Sequence, residues 1–137
     1  MWEQEQLALQ CCERMSRRFY WLLDRYETDR ILGMAHEACT WMRAGEPHTG
    51  HEAMRRIMDA RPRDALGRHL VCNAVAGMTG TDEIEVTFDL LYQAAPKPAE
   101  AGGPALAQPA RLLSGVDRYR REGGAWTLVF KEVLPLF

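Results

Sequence analysis

The chain has 137 residues, of which 47% are hydrophobic and 26% are charged, a composition typical of a globular protein. Its 17 basic and 19 acidic side chains give a formal net charge of −2, which argues against nucleic acid and anionic membranes as main partners. The length suits one domain spanning residues 1–137. No apolar run approaches the roughly 20 residues that a membrane helix needs, and the acidic first residues lack the positive region of a signal peptide. We therefore expect a cytoplasmic protein.

The first part of the chain is predicted to be mainly helical. Apolar residues recur at helical spacing from about residue 4 to residue 25, which predicts one long amphipathic helix. Thr28 is predicted to cap a second, short helix over residues 29–34. A third helix is predicted from Glu52 to about Ala60, with Pro62 beyond its end as a stop signal.

The remaining patterns are those of strands. A short strand is predicted over residues 37–43, and it ends at the turn residues Gly45, Pro47 and Gly50. After Gly67, longer strands are predicted, and these pair as two antiparallel hairpins. These strands cover residues 68–78, 83–92, 111–121 and 126–134.

The strand region contains one strongly apolar strand face and one segment rich in proline and glycine. Alternate residues from Ile84 to Tyr92 form one apolar face, and the pattern does not decide which face is inside. We predict a homodimer or homotrimer, because an outer face that carries residues such as Ile84, Val86, Phe88 and Leu90 leaves more apolar surface than a monomer usually shows. Prolines and glycines over residues 94–110 predict an excursion between paired strands, either a lid or a spacer.

This order of elements predicts an α+β fold in which the helices lie on one face of a curved antiparallel sheet. A strongly bent sheet wrapped around the long N-terminal helix makes a cone, and two shorter helices complete it. The open mouth of such a cone is a pocket.

The most informative segment for function is residues 68–73, where polar and apolar residues alternate. Side chains in a strand alternate between faces, so His69 and Asn73 are predicted to point into the same space. The long helix ends on Asp24, an acid that can reach a histidine across a pocket. This pairing is the candidate site.

The ordered set of these features resembles the SnoaL-like family of the nuclear-transport-factor-2-like superfamily, nearly from end to end. That family includes scytalone dehydratase, bile-acid dehydratase, hexachlorocyclohexane dehydrochlorinase and dioxygenase small subunits. No single motif is specific, and the resemblance depends on their order. The motifs are Leu23-Asp24-Arg25 with Asp29 after it, Trp41, Gly50, residues 68–73, Ser114-Gly115 and residues 120–126.

The resemblance implies roles for particular residues. In lyases of the family an aspartate at the end of the first helix supports a histidine on the first long strand, and these positions match Asp24 and His69. A tyrosine or lysine often stands five residues before that aspartate, but Phe19 occupies the place here, and the neighbouring Tyr20 is a substitute if the helix is rotated. A basic residue of the last strand corresponds loosely to Lys131.

Each of these residues also has a purely structural explanation. Asp24 and His69 fit a catalytic base dyad, in which the carboxylate holds one ring nitrogen and leaves the other free to take a proton, and they equally fit a structural ion pair. Tyr20 and Trp41 either line a substrate pocket or are core aromatics. Asn73 either orients a substrate carbonyl or satisfies nearby backbone groups.

Metal and cofactor sites are not expected. Imidazoles near a carboxylate can bind zinc or iron, but the residues of that kind surround an exposed turn, and no helix face fixes two of them together. Those residues are His36, His48, His51 and Glu52. No phosphate loop, nucleophile elbow or dinucleotide fingerprint is present.

Two functions follow from the resemblance. The first is a cofactor-independent lyase or isomerase, of dehydratase or cyclase type, that acts on a small apolar or aromatic ring compound through His69 and Asp24. The alternative is a non-catalytic small subunit or ligand-binding module, like those of ring-hydroxylating dioxygenases. An enclosed pocket with His69 at its base favours the enzyme.

Overall fold

The structure is a computed structural model that describes residues 2–103 and 107–137. It has three helices and six strands among these residues. They are α1 (Trp2–Asp24), α2 (Thr28–Leu32), β1 (Ala35–Arg43), β2 (Glu46–Thr49), α3 (His51–Asp59), β3 (Ala65–Gly80), β4 (Glu83–Pro96), β5 (Arg111–Glu122) and β6 (Ala125–Pro135). The predicted excursion between β4 and β5 begins only after Pro96, because residues 94–96 pair with β3, and its residues 104–106 lie outside the described residues.

The strands form one curved sheet in the order β2-β1-β6-β5-β4-β3. The sheet is antiparallel except between β1 and β6, which pair in parallel. The predicted α+β fold, a curved sheet over a long N-terminal helix, is confirmed. The prediction missed β2, because Pro47 and the glycines around it were taken as turn signals. Proline is tolerated in β2 because that strand lies at the edge of the sheet.

Two smaller predictions about the helices were inexact. Thr28 is the first residue of α2 and does not cap it; Glu27 occupies the N-cap position, with no side-chain hydrogen bond to the helix. Helix α3 begins at His51, one residue before the predicted start. None of the helices in the described residues is long and apolar enough to cross a membrane.

The concave face of the sheet packs on α1 and contains the core. Ile84, Val86, Phe88 and Leu90 of β4 are all at most 3% exposed, so the apolar face of this strand is the inner one. Our prediction of oligomerisation assumed that these four residues lie outside, and that assumption was wrong. A curved sheet that closes over a helix buries the face with the more continuous apolar pattern.

The Phe88 ring of β4 packs across Gly115 of β5 and lies near Tyr20 of α1. Phe88 lies opposite Gly115 in the register of the two strands, and a Cβ atom at Gly115 would come within 2.2 Å of the Phe88 ring. Glycine is therefore required here for the ring to cross β5. The centroid of the Phe88 ring lies 6.0 Å from that of Tyr20.

Candidate active site

A cavity of about 430 Å³ lies between α1 and the sheet. Its deep wall is formed by buried side chains of α1, β1 and β4, namely Tyr20, Leu23, Trp41 and Leu90. Its outer end is lined by exposed residues, including Arg43, Arg111 and Leu134. The cavity is thus apolar and aromatic inside and reaches solvent at a charged rim.

Asp24 and His69 are in direct contact beside this cavity. The Nδ1 atom of His69 lies 2.5 Å from Oδ1 of Asp24, and the backbone N–H of His69 donates to Oδ2 at 2.8 Å. The side chains are 12% and 2% exposed, respectively. The predicted approach of these two residues, joined across 45 positions of sequence, is confirmed; their catalytic role stays a prediction.

The contact with Asp24 determines how the imidazole is oriented. Because a carboxylate is an acceptor, Nδ1 is the nitrogen that carries a proton and donates it. His69 lines the cavity, and its Nε2 atom has no protein hydrogen-bond partner among the described residues. The imidazole stacks on Tyr92, with ring centroids 4.2 Å apart, and packs against Tyr20 at 5.0 Å. A neutral imidazole that donates through Nδ1 carries no proton on Nε2, so Nε2 can accept one.

Asn73 does not share this space, and the prediction that it points the same way as His69 was wrong. The pairing of β3 with β4 shifts between Cys72 and Val75, and Asn73 has a left-handed backbone with φ of 52°. Such a bulge reverses the alternation of side chains. Asn73 is consequently exposed on the convex face, where its amide donates to Asp89 at 2.8 Å.

Behind the cavity lies a buried polar cluster that joins α1 to β5 and β6. Lys131 Nζ lies 2.7 Å from Oδ1 of Asp117, and both side chains are fully buried. Ser16 donates to the other carboxylate oxygen at 2.6 Å, and Tyr119 lies 2.7 Å from the Ser16 hydroxyl. Lys131 also donates to the hydroxyl of Tyr20 at 3.1 Å. The cluster therefore ends at the cavity wall.

The charges in this cluster follow from burial and pairing. Burial alone would lower the pKa of Lys131, but the Asp117 carboxylate and the Tyr20 hydroxyl favour the ammonium and hold its pKa above the ordinary value. Burial raises the pKa of Tyr20, and the nearby Lys131 offsets only part of that effect. The cluster thus contains an ammonium, a carboxylate and a protonated phenol. Since Tyr20 accepts from Lys131, its own proton is available for a ligand in the cavity.

Tyr20 and Trp41 both line the cavity, as predicted, and their role in substrate binding stays a prediction. Phe19 is buried and makes an edge contact with the Trp41 ring at 5.3 Å.

In the described residues, no group of three or more His, Cys, Asp or Glu side chains could hold a metal ion. His51 faces the backbone carbonyl of Ala35 at 2.9 Å.

Sequence reasoning missed several residues of the cavity. Tyr92 was placed on a strand face, but nothing indicated that it lies opposite His69. Arg43, Arg61 and Arg111 also line the cavity and come from three separate segments. Register between distant strands is the information that would have found them, and local patterns do not contain it.

Comparison with known proteins bears on the fold. No family model and no curated protein matches this sequence, but solved structures match it along nearly its whole length. An NTF2-like protein with a cystatin-like fold from Novosphingobium aromaticivorans superimposes with a TM-score of 0.78 at 15% identity, covering 98% of this chain and 86% of that one. The chain has the NTF2-like fold.

Two further solved structures with this fold are described as a dehydratase and a dehydrochlorinase. One, from N. aromaticivorans, carries a provisional assignment as a scytalone dehydratase (TM-score 0.74, 17% identity, covering 100% of this chain and 89% of that one). The other is a hexachlorocyclohexane dehydrochlorinase from Novosphingobium barchaimii (TM-score 0.79, 14% identity, covering 98% of this chain and 91% of that one). At these identities the likeness establishes the NTF2-like fold alone.

Proposed function

We propose that this protein is a cofactor-independent lyase or isomerase of the SnoaL-like type, acting on a small ring compound. The observation that carries the proposal is the 2.5 Å contact between Asp24 and His69 Nδ1 at the wall of an apolar, aromatic cavity. The similarity in fold to dehydratase-like and dehydrochlorinase structures supports the choice of reaction class.

The proposed chemistry begins with proton transfer to His69. Its Nε2 atom takes a proton from a carbon next to a carbonyl or an electron-poor ring, and the C–H electron pair moves towards the carbonyl oxygen or into the ring. Asp24 stabilises the imidazolium that forms. The electron pair then returns to form a C=C bond as halide leaves the neighbouring carbon with its bonding pair, or as hydroxide leaves with its bonding pair and takes the proton from the His69 imidazolium to become water. In an isomerase the proton returns instead at another carbon.

Tyr20 suits the role of hydrogen-bond donor to the oxygen on which charge develops. Its hydroxyl is polarised by the Lys131 ammonium at 3.1 Å, and it lines the same cavity as His69. A donor fixed before the reaction stabilises an oxyanion more effectively than water does, because it does not have to reorient.

The test is hydrogen exchange in D₂O with a panel of ring ketones and ring carbonyl compounds, followed by mass spectrometry. We expect the protein to exchange the acidic C–H of at least one compound, and the His69→Gln variant to lose this exchange about 10²- to 10⁴-fold. His48→Gln, which changes a histidine outside the cavity, is the matched control. If no compound exchanges, or if His69→Gln exchanges as fast as the parent, the alternative of a non-catalytic binding module is favoured.

We also propose that the protein is a homodimer or homotrimer. The supporting observation is an exposed apolar strip on the convex face of β3 and β4, where Leu66, Leu70 and Val75 are 50%, 50% and 64% exposed and Leu91 is 36% exposed. Leu70 and Leu91 lie directly opposite each other. We expect light scattering to give a mass at least twice 15.6 kDa at micromolar concentration, and Leu70→Asp to lower it; a monomeric parent protein would contradict the proposal.

A further inference from the structure

We infer that the mouth of the cavity is an anion subsite formed by Arg43, Arg61 and Arg111, so that the ligand is a ring compound bearing a carboxylate. The inference rests on the proposed function in one respect, namely that the occupant of the cavity is the substrate. The charges around the cavity support the subsite itself.

The permanently charged side chains that line the cavity are arginines, and Asp24 beside it is bound to His69. Three of the residues that line it are arginines, and none is aspartate or glutamate. They come from the end of β1, the segment after α3 and the start of β5. Three arginines that line one space of about 430 Å³ attract an anion, because low-dielectric walls focus their field.

Among the described residues, neither Arg43, Arg61 nor Arg111 forms a salt bridge with a carboxylate. Some arginines elsewhere do have acidic partners: Arg55 pairs with Asp29, Arg118 with Glu85, Arg120 with Glu122 and Arg121 with Asp82. The three arginines of the cavity, like several other arginines of the chain, thus form no salt bridge within the described residues.

Two of the three are held in place by contacts that leave donors available. Arg61 donates one N–H to the backbone carbonyl of Leu23, and its guanidinium lies 5.2 Å from the Tyr26 ring centroid. The Arg43 guanidinium lies 5.3 Å from the ring of Trp41. A guanidinium has five N–H donors in a rigid fork that matches a carboxylate. Both groups therefore keep donors for a ligand.

The arrangement of charge and aromatic surface indicates how a ligand lies. His69 and Tyr20 line the same cavity as the arginines, and both are largely buried, whereas Arg43 and Arg111 are exposed. A ring packed against the aromatic side chains places its carboxylate at the rim and its reactive C–H inside. A neutral ring compound leaves the arginines without a partner and binds more weakly.

The experiment compares 2-naphthoate with 2-naphthamide, which have nearly the same shape and differ in charge. Each is titrated into the full chain by calorimetry at low salt. We expect the parent protein to bind naphthoate about tenfold or more tightly than naphthamide. In the Arg43→Gln/Arg111→Gln double variant, we expect naphthoate affinity to fall about 10- to 100-fold, whereas naphthamide affinity changes less than twofold. Arg30→Gln, an exposed arginine outside the cavity, is the control.

Several results would overturn the inference. These are equal affinity for the two probes, no naphthoate binding at millimolar concentration, and an unchanged naphthoate affinity in the double variant. The result is separable from the proposed function, because His69→Gln retains naphthoate preference if the subsite is real. Naphthoate preference without any C–H exchange would support the subsite while refuting the lyase.

Discussion

Replacing Lys131 with methionine is expected to lower the free energy of unfolding by about 3–5 kcal/mol, the range found when one partner of a buried ion pair is removed. Methionine fills much of the volume of the lysine stem but leaves the Asp117 carboxylate in a fully buried position without its cation. Ser16 and Tyr119 remain as neighbours of that carboxylate, and hydroxyl groups do not neutralise it. Chemical denaturation followed by tryptophan fluorescence measures the change.

Two further variants separate loss of the charge pair from loss of packing. Lys97→Met removes an exposed lysine and is expected to change stability by less than about 0.5 kcal/mol. The Lys131→Met/Asp117→Leu double variant is expected to recover most of the loss, because Ser16 and Tyr119 can still bond each other at 2.7 Å. If the double variant is less stable than the single one, the carboxylate has another stabilising role and the explanation fails.

The same pair gives stability a defined dependence on pH. The pKa of Lys131 is higher in the folded protein than its ordinary value of 10.5, so the folded state binds more protons than the unfolded state in alkaline solution. Its contribution to stability is therefore complete below about pH 10 and is lost as pH rises through the folded-state pKa. Lys131→Met is expected to flatten the alkaline decline in stability.

Replacing Asp24 with asparagine is expected to slow C–H exchange by about 10²- to 10⁴-fold. The carboxylate accepts from two donors of His69, the backbone N–H and Nδ1. An amide has one oxygen, so one of these donors would face an NH₂ group. If that donor is on the ring, the imidazole changes tautomer and its Nε2 atom carries a proton, which removes the base.

Binding of 2-naphthoate and the circular dichroism spectrum are measured beside the exchange rate. We expect Asp24→Asn to keep both, since the cavity itself is lined by other residues, while Asp59→Asn, an exposed acid at the end of α3, keeps exchange as well. A variant that folds, binds naphthoate and exchanges at the parent rate would show that the ion pair is structural.

The position of Lys131 explains how this chain accommodates Phe19 where the family it resembles often has a polar residue. The Lys131 ammonium lies 4.2 Å from the Phe19 ring centroid and 4.4 Å from that of Tyr20, so both rings provide cation–π contacts. Positive charge thus reaches the neighbourhood of the first helix from β6. Its hydrogen bond to Tyr20 makes the neighbouring helix residue the polar group of the cavity wall.

Much of the architecture was determined by local patterns in the sequence. The 3.6-residue repeat of α1 and the two-residue repeat of β4 predicted those elements, because one buried stripe or face is enough to produce each pattern. Asp24 at the helix end and His69 at the start of β3 could be paired before the structure was known. The residue types and their places on the predicted elements suggested the pairing and the resemblance supported it, although nothing local connects two residues separated by 45 positions.

Only the tertiary structure decided which face of β4 is buried, where Asn73 points and which arginines meet. The curvature of the sheet selects the inner face, and a single bulge at Asn73 moves its side chain to the convex side. Arg43, Arg61 and Arg111 converge because the end of β1, the segment after α3 and the start of β5 lie at the same opening. These outcomes depend on register and closure between distant segments, which are set by the packing of the whole sheet on α1 and not by neighbouring residues.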